Sequence, residues 1–430
     1  MSRTTDMNLR KLMIYQVYVR NYSNEGTFKA LQADLARIKA LGTDVLYLLP
    51  IHPIGEKNRK GELGSPYSIK DYDAINPELG SEAEFKDLIE ATHHHGMQIM
   101  MDIVYNHTSY DSVLLEKHPE FFYQNDKGEF TNRVADWWDI TDFDYTKDRK
   151  LYQVLTDSLV NYTKMGVDGF RFDVASFLPL DFLEEAHAAV KSVNPKTLWL
   201  SESVHGHFLR LIRNSGFECL SESEIYQVFD MAYDYDAHPV FEAYLQGKGS
   251  LQNYLDVLIS QEEIYPKNYV KMRNLENHDF GRIAHHLQGN QSKLEQWHAF
   301  SFFSRGATMI YMGGEFSALH HPDLFNKDVI TLDGKDLTPM IQAWSKAVKR
   351  DVFTYGVYEL EKAPEADVIV GRYTHQGEQI LGLFNVGAAQ GLMTLSDVTG
   401  SYRNLITGES ITLVDGPHPI PQQPQLLQRL

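Results

Sequence analysis

The stretch Met165-Gly166-Val167-Asp168-Gly169-Phe170-Arg171-Phe172-Asp173-Val174 decides the fold. Before it, Asp148 to Lys164 carries apolar residues at helical spacing, and Gly166 supplies the left-handed position that stops a helix. Beyond it, the residues from Gly169 to Val174 have the length and apolarity of one buried strand. Working outward, the helix-then-strand unit recurs. Upstream, Leu12 to Val19 reads as a strand, Thr27 to Leu41 as a helix with Phe28, Leu31, Leu35 and Ile38 on one face, and Val45 to Leu49 as a second strand. Ser81 with Glu84 three residues on makes a capping box for a helix to about His95, stopped by Gly96, and a third strand follows over Gln98 to Val104. Downstream, Asp181 to Val190 is a helix and Leu198 to Glu202 the fifth strand. Val228 to Ala232, Tyr269 to Leu275 and Ala307 to Tyr311 complete eight, with a last helix from Pro339 to Lys349. Eight strands joined by right-handed crossovers predict a closed (β/α)8 barrel of the α/β class.

Two segments break the alternation. Thr108 to Tyr145 has aromatics and turn residues without helical period, so a small domain over 108–145 is expected to be inserted after the third strand. From about Asp351 short β runs alternate with turns (Val368 to Val370, Gln379 to Phe384, Gly391 to Leu395, Ser410 to Val414), which predicts an antiparallel β-sandwich over 351–430. The barrel would then comprise 1–107 and 146–350.

The formal charge of −18 and the lack of any long apolar run argue against nucleic acid and membrane as partners. One cysteine, Cys219, excludes an internal disulfide, and Met1-Ser2-Arg3-Thr4-Thr5-Asp6 leads into no signal-peptide core, so a cytoplasmic protein is expected.

In a parallel barrel the reactive groups sit where strands end. Asp102 to His107 end the third strand, Arg171-Phe172-Asp173 the fourth, Ser201-Glu202 the fifth and Asn277-His278-Asp279 the seventh. One aspartate at a strand end is most simply a turn or cap; four strand ends delivering carboxylates, histidines and an arginine to one rim call for chemistry. Glycoside hydrolysis with retention needs a nucleophilic carboxylate and a protonated carboxyl about 5 Å apart, which Asp173 and Glu202 on neighbouring strands can supply. Asp279 would raise the proton affinity of Glu202 and bind sugar hydroxyls. Arg171 would keep Asp173 ionised, His107 and His278 would donate to hydroxyls, and Tyr67 would stack on a sugar face.

These segments resemble the four signature regions of the α-amylase family, glycoside hydrolase family 13. Asp102-Ile-Val-Tyr-Asn106-His107 resembles the first region, Gly169-Phe-Arg171-Phe-Asp173 the second, Glu202 with its strand the third, and Glu276-Asn277-His278-Asp279 the fourth. Gly64-Ser-Pro66-Tyr67-Ser68 resembles the segment carrying the family's stacking tyrosine. The resemblance implies nucleophile, acid/base and stabiliser at Asp173, Glu202 and Asp279, substrate contacts at Tyr67, Asp102, His107, Arg171 and His278, and an α-glucan oligosaccharide substrate. It leaves open a transglycosylase acting through the same intermediate; a non-catalytic scaffold would have lost a carboxylate. Where many α-amylases have Lys-His after the nucleophile, this chain has Ala175-Ser176-Phe177, and Asn21 to Gly26 lacks an aspartate-rich loop. No cofactor is therefore expected, and calcium is doubtful although Asn106 could serve as a ligand. His93-His94-His95 suits a helix C-terminus rather than a metal. His285-His286 and His320-His321 belong to the rim or the surface, Trp137-Trp138 to the insert's core or a sugar platform, and Cys219 is expected to be inert.

Overall fold

The computed structural model describes residues 5–134, 136–332 and 334–430. Met1 to Thr4, on which part of the signal-peptide reading rests, lie outside the described residues, as do Ala135 of the expected insert and Asp333. Eight parallel strands close the barrel: β1 (Met13–Val17), β2 (Val45–Leu48), β3 (Gln98–Ile103), β4 (Gly169–Phe172), β5 (Leu198–Ser201), β6 (Met231–Tyr233), β7 (Lys271–Arg273) and β8 (Ala307–Tyr311). Each pairs with its sequence neighbours, and β1 with β8 seals the ring. Nearly every strand residue is buried, which is why these strands read as apolar runs and not as alternating ones.

Several local expectations hold. Ser81 and Glu84 make both bonds of the capping box ahead of the helix Glu82–His94. Gly166 caps Lys150–Met165 at φ 112°. Other boundaries differ; the seventh strand, expected over Tyr269 to Leu275, is confined to Lys271–Arg273. The helix expected over 27–41 is broken into Phe28–Ala33 and Leu35–Ala40 at Asp34, whose carboxylate accepts from Tyr22 and Arg37. The sixth strand begins three residues later than the run from Val228 suggested, because Val228 and Phe229 are buried in the approach to the sheet and not in its ladder.

The insert contributes an antiparallel ribbon, His107–Ser109 with Ile140–Asp142. The C-terminal part holds a six-stranded antiparallel sheet in the order Val357–Lys362, Ile369–His375, Glu378–Phe384, Gln425–Arg429, Gly400–Asn404, Ser410–Leu413, faced by a two-stranded sheet of Leu392–Leu395 and Gly416–Pro419. Met393 and Leu395 of the smaller sheet pack with Val370, Leu381, Leu383 and Tyr402 of the larger, forming a sandwich core. The sandwich is seated on the barrel by Phe303, at the end of helix Gln291–Phe303. A side-chain carbon at Gly371 would lie 2.2 Å from that ring, and one at Gly382 2.7 Å, so only glycine admits the contact. Among the described residues no helix is long and apolar enough to cross a membrane.

Candidate active site

Strand register builds the site. Asp102 pairs with Arg171 across β3 and β4, and Phe172 with Ser201 across β4 and β5. The ladder continues past the strand ends: Asp173 N donates to Ile103 O at 2.8 Å and Glu202 N to Phe172 O at 3.0 Å. Backbone bonds thus hold both carboxylates on adjacent rigid elements, the arrangement that precise chemistry requires.

Arg171 is the hub. It is fully buried, and its guanidinium lies 2.7 Å from Asp102, 3.0 Å from Asp173 and 3.0 Å from Glu202. The rings of Tyr233 and Tyr67 flank it at 5.2 and 5.7 Å. One fixed positive charge faces three carboxyls. Burial pushes Asp102 up to about 6 against the pull of Arg171. Burial, and then the neighbouring Glu202 charge, raise the Asp173 carboxyl well above the ordinary range, with Arg171 opposing. Beyond burial the cause is like charge: with Asp102 and Glu202 close by, the ionised form of Asp173 is disfavoured. Arg171 acts on Asp173 in the expected direction, favouring its ionised form against burial and the neighbouring carboxylates.

Glu202 is pinned through one oxygen. Its Oε2 accepts the Val174 N–H at 2.7 Å and lies against Arg171, which leaves Oε1 to face the cavity. Val174 adopts φ 42°, ψ 43°, a left-handed conformation costly for a β-branched residue, and so turns its N–H toward Glu202.

A hydrogen-bonded chain orders the opposite wall. Gln16 Nε2 lies 3.2 Å from His278 Nδ1, and His278 Nε2 lies 2.6 Å from Tyr67 OH, which donates to Asp102 at 3.0 Å. With Gln16 donating to Nδ1, the network assigns the proton of the neutral ring to Nε2. Burial, reinforced by Arg171, holds His278 far below the ordinary histidine range. Burial takes His107 down to about 3; its Nδ1 receives Asn106 Nδ2 at 3.1 Å, so Nε2–H points toward Asp173, 4.0 Å away. Asp279, its side chain 39% exposed, receives the hydroxyl of Tyr235 at 3.2 Å, and Tyr235 in turn accepts from Asn277 at 2.9 Å.

These groups surround a cavity of about 200 Å³, room for one sugar-sized ring, lined by Tyr67, His107, Asp173, Glu202, His278 and Asp279 among others. The structure therefore brings together seven of the eight residues singled out along its walls or, for Arg171, directly beneath them. Asp102 lies one layer deeper and touches Arg171, Tyr47 and Tyr67. Sequence reading missed Tyr47, Gln16, Tyr235, Val174 and Lys60. The first two lie within apolar runs that look like core, and Lys60 reaches the cavity from a distant loop.

Trp137 lines the cavity and contacts His107, while Trp138 is exposed. Of the flagged histidines, His93 pairs with Asp168, His320 with Asp328, and His321 with the Asn277 carbonyl. Burial pushes the Cys219 thiol up to about 11, which suits an inert residue.

The residues around Asn106 do not fit a calcium cage. Of the insert's buried aspartates, Asp142 accepts the Arg133 N–H and faces its guanidinium at 3.8 Å, and Asp139 pairs with Lys60 at 2.8 Å. Asn106 Oδ1 has no partner, but one free oxygen falls well short of the six to eight that calcium takes. Among the described residues no three His, Cys, Asp or Glu converge on a metal position. Dialysis against excess EDTA should leave at least about 80% of activity; loss restored by added calcium would show that protein cations do not fill this role.

Comparison with known proteins places these features. A family model described as "Alpha amylase, catalytic domain" matches residues 16–138 and 121–359, and one described as "Bacterial Alpha amylase C-terminal domain" matches 359–426. A solved α-amylase from Lactobacillus plantarum is 43% identical, with TM-score 0.94 over 99% of this chain and 100% of that one. A solved noncanonic maltogenic α-amylase from Thermotoga neapolitana is 30% identical, with TM-score 0.88 over 98% and 99%. An α-1,4-glucan:maltose-1-phosphate maltosyltransferase of Pseudomonas aeruginosa is 33% identical over 213 residues, 44% of this chain and 32% of the relative. The chain thus spans about a third of the length of the curated relatives it matches.

Proposed function

The chain belongs to the α-amylase family, and from that premise we propose that it is a retaining glycoside hydrolase cutting α-glucosidic bonds of malto-oligosaccharides. The observation that carries the reading is Arg171 gripping Asp102, Asp173 and Glu202 at once, with Glu202 anchored through Oε2 so that Oε1 is free to carry a proton. In this reading the barrel comprises 1–107 and 146–350, the insert 108–145 and the sandwich 351–430.

In the first step Asp173 attacks the anomeric carbon from the β face while Glu202 Oε1 gives its proton to the departing glycosidic oxygen. The reactive arrangement has the proton on Glu202 and the negative charge on Asp173. Charge developing on the ring is met by Asp279, and His107, His278 and Tyr67 orient the sugar. In the second step Glu202, now ionised, takes a proton from water, which attacks from the α face and releases Asp173. Two inversions give net retention. The relatives named as maltosyltransferases favour a second reading, in which a sugar hydroxyl takes the place of that water.

Incubation with maltotriose, isomaltose, pullulan and starch, with products resolved by chromatography and anomers by proton NMR, tests the proposal. Initial products of β configuration would overturn it. The cavity of about 200 Å³ and the short insert predict that kcat/KM per bond on maltotetraose exceeds that on soluble starch by about tenfold or more. A higher value on starch would contradict the oligosaccharide reading. A cytoplasmic setting supplied with soluble oligosaccharides accords with a chain holding a single, buried cysteine.

A further inference from the structure

We propose that Lys60 and Phe325 close the catalytic cavity at its glycone end, so that the enzyme works from the non-reducing terminus of a chain and takes a glycone of at most two glucosyl units, Lys60 reading the terminal hydroxyls. The inference rests on the hydrolase reading above and specifies which end of the substrate the site accepts.

Strand order fixes the direction. Because β1 to β8 pair in sequence around a closed ring, β5, which leads into Glu202, stands across the mouth of the barrel from β1. Glu202 protonates the departing oxygen, so the leaving group lies on its side and the glycone extends the other way, toward β1. The segments that follow β2 and β8 meet there. Gly61 of the first packs so closely on the second that a side-chain carbon would lie 2.7 Å from Phe325 Cβ. Leu63 N donates to Phe325 O at 3.1 Å, and Glu62 N to Asn326 Oδ1 at 2.8 Å. On the barrel side Tyr18, which directly follows β1, donates its hydroxyl to Leu324 O at 3.0 Å.

The insert completes the wall. The Lys60 ammonium lies 2.8 Å from Asp139 Oδ1 and 5.9 Å from the centre of the Phe325 ring. Lys60, Asp139, Leu324 and Phe325 all line the cavity that also holds Asp173 and Glu202. The Asp139 side chain is 4% exposed and that of Lys60 22%, so the carboxylate is a buried anchor while the ammonium stays within reach of a ligand. Of its three N–H donors Asp139 takes one, and the Asp136 carbonyl at 3.5 Å takes at most a second. A glucosyl ring bound with C1 at Asp173 turns its O4 away from the cut bond. Continued through O4, a long chain would have to pass where Lys60 and Phe325 meet. A free terminal hydroxyl at that place instead accepts a charge-assisted hydrogen bond.

The test compares p-nitrophenyl α-maltoheptaoside with the same chain whose terminal 4- and 6-hydroxyls are tied in an ethylidene acetal, products being resolved by chromatography. The wild type should cut the free chain at least about 100-fold faster than the blocked one, and the first fragments released from the non-reducing end should be no longer than maltose. Lys60→Met, which keeps the length and removes the charge, and Phe325→Ala, which opens the wall, should each narrow that preference to about tenfold or less, whereas Lys60→Arg should keep most of it. A substitution that merely loosened the fold would slow both chains alike. An unchanged ratio in both Lys60→Met and Phe325→Ala would therefore overturn the inference. So would a wild type that cuts the blocked chain within about twofold of the free one. Should neither chain be cut, the hydrolase reading falls, and the wall is judged on Asp173→Asn by calorimetric titration. The free chain should then bind about tenfold more tightly than the blocked one, and equal binding would overturn the wall.

Discussion

Asp173→Asn lowers turnover of maltotriose and of α-maltosyl fluoride alike by about 10⁴-fold or more, the scale set by loss of a covalent nucleophile. The substitution keeps volume and an oxygen for Arg171, which lies 3.0 Å from Asp173, so the barrel should remain folded and near-ultraviolet circular dichroism should match the wild type. Loss on both substrates is the signature of the nucleophile, since the covalent bond precedes any question of leaving group. Added azide should partly restore consumption of the fluoride by entering where the carboxylate stood, with a β-glycosyl azide as product. Residual activity above about 1% on either substrate would transfer the nucleophile's role to another residue; Asp279 is the next carboxylate along the cavity wall.

The barrel was legible because its strands are buried on both faces and therefore stand out as short apolar runs between amphipathic helices. That same apolarity hid where pairing begins at β6, since Val228 and Phe229 are as buried as the strand they precede. The polar strands at the chain's end, Gly400–Asn404, Gly416–Pro419 and Gln425–Arg429, escaped notice for the opposite reason. Much of their surface is exposed, and the Gly416–Pro419 pairing includes two prolines, so neither alternation nor composition marks them. At the site, strand-end residues were found because topology alone sends them to the rim. The groups that tune them were not. Tyr47 looks like core until its hydroxyl is seen on Asp102 at 2.8 Å, and nothing in one sequence says that Val174 takes a left-handed turn to donate to Glu202. Charge balance was equally out of reach, because it depends on three carboxyls meeting one guanidinium.

That balance governs the second large effect. Glu202→Gln should lose about 10²- to 10⁴-fold on malto-oligosaccharides, whose leaving group needs a proton, but stay within about tenfold of wild type in the first step with α-maltosyl fluoride, whose fluoride departs unprotonated. Glutamine can keep its carbonyl oxygen on the Val174 N–H, so the side chain holds its place. Removing the Glu202 charge also takes away one of the forces that push Asp173 toward protonation. The sign follows directly: Asp173 loses its proton at lower pH in the variant, so the acid limb of the fluoride reaction moves to lower pH. Hydrolysis of the intermediate needs Glu202 as base, so the glycosyl-enzyme should accumulate and be visible by mass spectrometry of the quenched protein. Azide, which needs no deprotonation, should then discharge it. Its attack comes from the face the leaving group vacated, which gives an α-glycosyl azide, the opposite anomer to that from Asp173→Asn. A variant equally inactive on the fluoride with and without azide would mean that Glu202 does more than move a proton. A β product would mean that azide had replaced the nucleophile, and the two carboxylate roles would have to be exchanged.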